Sequence, residues 1–214
     1  TFGDFGNAPA SELAARLSEH APMEDAKVFF GSGGGDAIDT AAKIARRHWV
    51  LQGRPERVHL ISRTQGYHGT HGFGTSIGGI EANVSNWGPL VPGVSAVAHD
   101  SLPALEAEIQ RVGPDKVAAF FCEPVIGAGG VYPPAEGYIE GVADLCEEHG
   151  ILLVIERTEP ENYERTALQW LARLAGEASH SDLRTMARAA EALRTRAPTR
   201  TPRRSAAPAR RARA

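Results

Sequence analysis

Residues 117–156 open with the apolar run Val117-Ala118-Ala119-Phe120-Phe121-Cys122, followed by Glu123-Pro124 and a glycine- and proline-rich loop from Gly127 to Gly137. An amphipathic stretch from Tyr138 to His149 comes next, then Gly150 and Ile151-Leu152-Leu153-Val154-Ile155-Glu156. Neither apolar run alternates with polar residues, so each reads as a strand buried on both faces. Two such strands joined by a helix describe one crossover unit of a parallel sheet covered on both sides.

The same alternation extends upstream. Val28-Phe29-Phe30 is expected to form a short strand running into glycine, and Asp36 to cap a helix with Ile38, Ala41, Ala42, Ala45 and Trp49 on one side. That helix must end before Gly53 and Pro55. Val58 to Ile61 reads as a strand, Gln65 to Gly93 as a segment with little periodicity, and Val94 to Ala98 as another strand. Ser101 and Pro103 open a helix carrying Leu102, Leu105, Ile109 and Val112, with Gly113 at its C-terminal cap. Nearest the start, Ser11 is expected to cap a helix with Leu13 and Leu17 on one face. Ligands of parallel sheets bind beyond the carboxyl ends of the strands. Functional residues are therefore expected just after Phe30, Ile61, Cys122 and Ile155.

Composition narrows the class. The chain has 214 residues, 42% of them hydrophobic and 23% charged, in the range of an ordinary globular protein. Two cysteines exclude a disulfide scaffold, and both are expected to be reduced and buried. No apolar run reaches the ~20 residues of a membrane span, and no secretory leader is expected. The first residue is Thr1, which predicts a piece of a longer chain. The net charge of -3 joins two unlike parts: from Arg194 onward there are eight arginines and no acid, so residues 1–193 carry -11. The predicted organisation is an α/β body over 1–155, a helical segment over 156–193 and a disordered basic tail over 194–214. The helices of the middle segment are read from Leu168, Leu171 and Leu174, and from Leu183, Met186, Ala190 and Leu193 behind Ser181 or Asp182.

Three motifs carry chemistry. Gly31-Ser32-Gly33-Gly34-Gly35-Asp36 places successive backbone N–H groups at a helix start, which can cradle an anion. Taken alone, a flexible turn explains it equally well. No Gly-Lys-Ser/Thr follows, Asp36 replaces the last glycine of a dinucleotide loop, and Phe30 stands where a nucleophile elbow needs glycine. Tyr67-His68-Gly69-Thr70-His71-Gly72 offers an aromatic face for a ring-shaped cofactor; His68 and His71 form only a weak metal-ligand pair, with no third partner nearby. Glu123 follows a buried strand and stands at the catalytic edge; a helix cap or salt-bridge partner is its ordinary alternative.

In this order the three motifs resemble the class III aminotransferases, pyridoxal-phosphate enzymes of fold type I, and most closely their omega-transaminase branch. Pro133-Pro134-Ala135-Glu136-Gly137-Tyr138 and Cys146 through Ile155 extend the resemblance, which covers residues 1–155. It implies part of a pyridoxal-phosphate transferase large domain. Ser32, Gly33, Gly34 and Gly35 would hold the cofactor phosphate, Tyr67 would stack on the ring with His68 beside it, and Glu123 would organise the ring environment. Glu156 stands where the family has an Asp that pairs with the pyridinium nitrogen, and Gly35 stands where the family has a Ser or Thr.

Other departures concern catalysis. The lysines are Lys27, Lys43 and Lys116, none of them after the 151–155 strand where the family places its Schiff-base lysine. No likeness continues past Ile155, where the family has a Gly-Phe-Gly-Arg stretch. This predicts that residues 156–214 are foreign sequence, from frameshift, truncation or a wrong gene model. The resemblance further implies amino-group transfer between an amine or amino acid and a keto acid or aldehyde, a homodimer and a cytoplasmic location; no membrane partner is expected from the apolar runs, and no nucleic-acid partner because the arginine tail lacks interleaved aromatics and a recognition fold. The chain by itself is expected to be inactive. The alternatives are a non-catalytic fragment, or a partner-binding module whose arginine tail contacts a polyanion.

Overall fold

The computed structural model describes residues 6–21, 23 and 25–156. The chain divides into a unit spanning Thr1–Thr158 and another spanning Glu159–Ala214. The described residues all belong to the first. The helices expected within 157–193 and the basic tail lie outside them.

Four parallel strands form one sheet: β1 (His59–Arg63), β2 (Val94–Val97), β3 (Val117–Cys122) and β4 (Leu152–Ile155), in the order β2-β1-β3-β4. β3 lies inside the sheet, and all six of its residues are buried. Its register sets Ala119 against Leu60 on one side and against Leu152 on the other. The fold class read from the unbroken apolar runs is the one observed.

Helices cover both faces. On one face lies α2 (Gly34–Leu51), which buries Ile38, Ala42, Ala45 and Trp49 among Leu60, Ala119 and Phe121. On the other, α5 (Leu102–Val112) and α6 (Tyr138–Glu148) pack Leu105, Ile109, Val142 and Cys146 onto Ile61, Phe120 and Cys122. The cap read for α5 is present: the Ser101 side chain accepts from the Ala104 N–H at 3.2 Å, and Gly113 closes the helix at φ 95°. Trp49 reaches across to the sheet, its indole N–H donating to Ala118 O at 2.9 Å, while the Arg57 guanidinium lies 3.9 Å from its ring centroid. Arg57 is itself buried, and donates to Val117 O and His149 O. A buried charge here is tolerated because carbonyls and an aromatic face replace its water.

Several expectations fail. Val28-Phe29-Phe30 is not a strand: no described strand pairs with it, and Phe29 and Phe30 are exposed. An apolar run becomes a strand only where a neighbour supplies the ladder. The first helix, α1 (Ala8–His20), is capped by Asn7, which accepts from the Ala10 N–H, and Ser11 lies within it. Its expected apolar face, Leu13 and Leu17, is exposed. Asp36 does not cap α2; Gly33 holds that position, and Asp36 sits in the first turn. The aperiodic segment contains two short helices, α3 (Gly72–Ser76) and α4 (Glu81–Val84). No described helix is long and apolar enough to cross a membrane.

Candidate functional site

Because all four strands run the same way, their carboxyl ends share one edge, and the segments leaving β1, β3 and β4 meet there with the first turn of α2. Glu123, directly after β3, is 3% exposed. Its carboxylate accepts from the Tyr67 N–H at 3.0 Å and the Gly127 N–H at 3.1 Å. Burial pushes its pKa up, and these two N–H donors act against that shift. Glu123 therefore pins the loop after β1 to the loop after β3.

Arg63, the last residue of β1, is buried and was not read as a site residue. Its guanidinium donates to the Glu123 carbonyl and, at 3.2 Å, to His99 O. It also lies over the Tyr138 ring, 5.6 Å from the centroid. One side chain so ties together the C-terminal ends of β1, β2 and β3. A charge at the end of an apolar strand was the available signal.

Tyr67 is fixed through its main chain and has 36% of its surface exposed. His68 turns inward to 1% exposure, and its Nδ1–H donates to Glu156 Oε2 at 2.7 Å. The other ring nitrogen, Nε2, is buried with no hydrogen-bond partner among the described residues. Glu156 is anchored at its backbone as well, donating to Cys122 O at 2.9 Å as an extension of the β3–β4 ladder. Its second carboxylate oxygen points at the glycine loop: a Cβ placed on Gly34 would lie 3.9 Å from Glu156 Oε1.

The loop itself is open at Gly33. A Cβ on Gly33 would meet nothing within 4 Å. Ser32 is engaged with Asp36, whose Oδ2 accepts from the Ser32 N–H at 2.9 Å and the hydroxyl at 3.2 Å. Those bonds hold the Asp36 carboxyl below its usual range, with smaller help from His71 and Lys43. Gly35 lies against the loop after β1, where a Cβ would fall 2.5 Å from His71 Nδ1. Gly69, at φ 90°, makes a close backbone approach to the glycine loop: a Cβ there would stand 2.6 Å from Gly35 Cα. Asp39 of α2 secures this junction, accepting from the Gly74 N–H at 2.9 Å.

The predicted residues Gly33–Gly35, Tyr67, His68, Glu123 and Glu156 thus come from four segments that meet at one edge. His68 and His71 do not converge as a metal pair; one contacts Glu156 and the other Gly35. No metal-binding cluster is present among the described residues. The three lysines stand elsewhere, all exposed: Lys27 before the glycine loop, Lys43 within α2, and Lys116 at the opposite end of the sheet, before β3.

The chain matches the Aminotransferase class-III family model over residues 1–158. A probable aminotransferase of Mycobacterium tuberculosis, Rv3329, is 37% identical over 167 residues, covering 70% of this chain and 36% of the relative. The beta-alanine–pyruvate aminotransferase of Pseudomonas aeruginosa is 32% identical over 169 residues, covering 71% and 38%. Among solved structures, an (S)-enantioselective omega-transaminase from Thermomicrobium roseum superposes with a TM-score of 0.70 at 38% identity, covering 72% of this chain and 38% of its own. The chain spans under two fifths of the length of these relatives.

Proposed function

We infer the function from one premise: the chain belongs to the class-III aminotransferase family. That family is pyridoxal-phosphate dependent and acts on amines and keto acids. Our reading is that residues 6–156 form part of its cofactor-binding large domain. The observation that carries it is the approach of the Glu156 carboxylate to the glycine loop, its Oε1 lying 3.9 Å from a Cβ on Gly34. A phosphate anion suits exposed N–H groups at a helix start, and a carboxylate suits a pyridinium nitrogen.

Under this reading Gly33, Gly34 and Gly35 hold the phosphate, and Tyr67 offers its ring face. Glu156 keeps a proton on the ring nitrogen, and His68 fixes that carboxylate from behind. Glu123 acts at one remove, holding the Tyr67 main chain. Pyridoxal phosphate supplies an electron sink when bound. The extra methylene of Glu156 relative to Asp is accommodated because His68 anchors Oε2. No lysine of these 214 residues stands at the edge, so the residues in hand bind the cofactor without a covalent link and move no amino group by themselves. Homodimerisation, a cytoplasmic location and the amine and keto-acid substrates follow for the whole protein from the same family reading.

Titration of the full chain with pyridoxine 5'-phosphate, which has no aldehyde to react with lysines, tests this. Saturable one-to-one binding that Tyr67→Ala weakens is expected. Absence of saturable binding would sink the reading.

A further inference from the structure

We propose that His71 is a phosphate ligand standing in for the side-chain hydroxyl that Gly35 lacks, an inference that rests on the cofactor reading above. The evidence is a shared volume. A Cβ built on Gly35 would fall 2.5 Å from His71 Nδ1 and 3.1 Å from its Cε1. The imidazole therefore fills the space a side chain at position 35 would need. A glycine at 35 is the condition for a histidine at 71.

The backbone that carries the ring is held in place. His71 precedes α3, and its carbonyl accepts from the Thr75 N–H at 2.8 Å. α3 is tied to α2 through the bond from the Gly74 N–H to Asp39. Gly69 closes the other side, its Cα 3.6 Å from the same Cβ position on Gly35. The imidazole itself is uncommitted: His71 is exposed, and neither ring nitrogen has a hydrogen-bond partner among the described residues.

Beside it lies the start of an 18-residue helix, whose earliest N–H groups have no carbonyl within the helix. The first backbone bond of this turn runs from Ala37 N to Gly33 O. His71 acts electrostatically on Asp36, whose Oδ2 is turned back to Ser32. An imidazole N–H then converges with backbone N–H groups on one anion, in the place where a hydroxyl would otherwise donate.

The test is a double-mutant cycle on the full chain, with equilibrium binding of pyridoxine 5'-phosphate as the readout. His71→Ala should weaken binding about tenfold, the loss of one hydrogen bond to a charged group. Gly35→Ser displaces the ring and supplies its own hydroxyl, so His71→Ala in that background should cost less than about twofold. His71→Asn, which keeps a donor, should recover most of the loss. Equal losses in both backgrounds, or none in either, would overturn the assignment. If the parent chain binds pyridoxine 5'-phosphate and His71→Ala binds it equally well, only the His71 inference fails. If the parent does not bind it, the cofactor reading itself fails. Because His71 is exposed, the variant's far-ultraviolet circular dichroism should match the parent's.

Discussion

Gly69→Ala perturbs the point where the loop after β1 presses on the glycine cradle. Two costs can be worked from the geometry. At φ 90° an L side chain sits in left-handed space, which costs roughly 1–2 kcal/mol. The new methyl would also stand 2.6 Å from Gly35 Cα, against an ordinary contact of about 3.5–4 Å. Relieving it requires about 1 Å of backbone separation between two segments pinned to each other by Asp39, an overpacking cost of roughly 1–3 kcal/mol. Together these give about 2–5 kcal/mol, a large part of a typical domain stability of about 5–15 kcal/mol. The midpoint of thermal unfolding should fall by about 5–15 °C. Circular dichroism melts measure this, with Gly33→Ala as the control. Gly33 is extended at φ 178° and a Cβ there meets nothing, so its midpoint should move by less than about 3 °C. Equal shifts in the two variants, or no shift for Gly69→Ala, would refute the close-approach argument.

Other expectations follow from the buried groups. Burial raises the thiol pKa values of Cys122 to about 11 and Cys146 to about 12. Neither should react with a disulfide reagent at pH 8 in the native state, and both should react in denaturant; rapid native labelling would contradict this. Trp49→Phe leaves Ala118 O buried without its 2.9 Å donor and should cost about 1–3 kcal/mol in urea unfolding. Glu123 has a raised pKa, so the native state binds its proton more tightly than the unfolded chain. Its contribution to stability is full below the unfolded carboxyl value of about 4.3 and is lost as pH rises through the native value. The stability of the parent relative to Glu123→Gln should therefore decline from acid towards neutral pH. A relative gain would reverse the sign of the argument.

The sequence made the central sheet legible because burial on both faces erases the polar alternation of a strand. β3 was read to its exact ends, and β2 and α5 to within a residue, the latter through Ser101 and Gly113. What it could not show was pairing. Val28-Phe29-Phe30 has the same apolar signal as β4 and stays outside the sheet, because a ladder depends on a neighbour and not on the run itself. The meeting of the candidate residues was partly legible: an acid after a strand and glycines before a helix are local signals. The bond from His68 to Glu156 joins residues 88 positions apart, and the seat of His71 against Gly35 exists only once two loops meet. No local pattern encodes either. Arg63 was overlooked because a lone cation in an apolar strand reads as a strand end facing water, whereas here three carboxyl-terminal strand ends enclose it.

The strand order β2-β1-β3-β4 also sets a timetable. β4 is made last among the four, yet it leads directly into Glu156 and covers one edge of β3. At a synthesis rate of about 5–20 residues per second, His68 is made roughly 4–18 s before its partner. Between the emergence of β3 and that of β4 the nascent chain presents Val117–Cys122 with an open ladder edge, a template for pairing with other chains. Emergence of β4 from the ribosome ends that exposure and brings Glu156 to His68, so a pause after β3 has emerged and before β4 has would lengthen the exposure of that edge and delay the contact together.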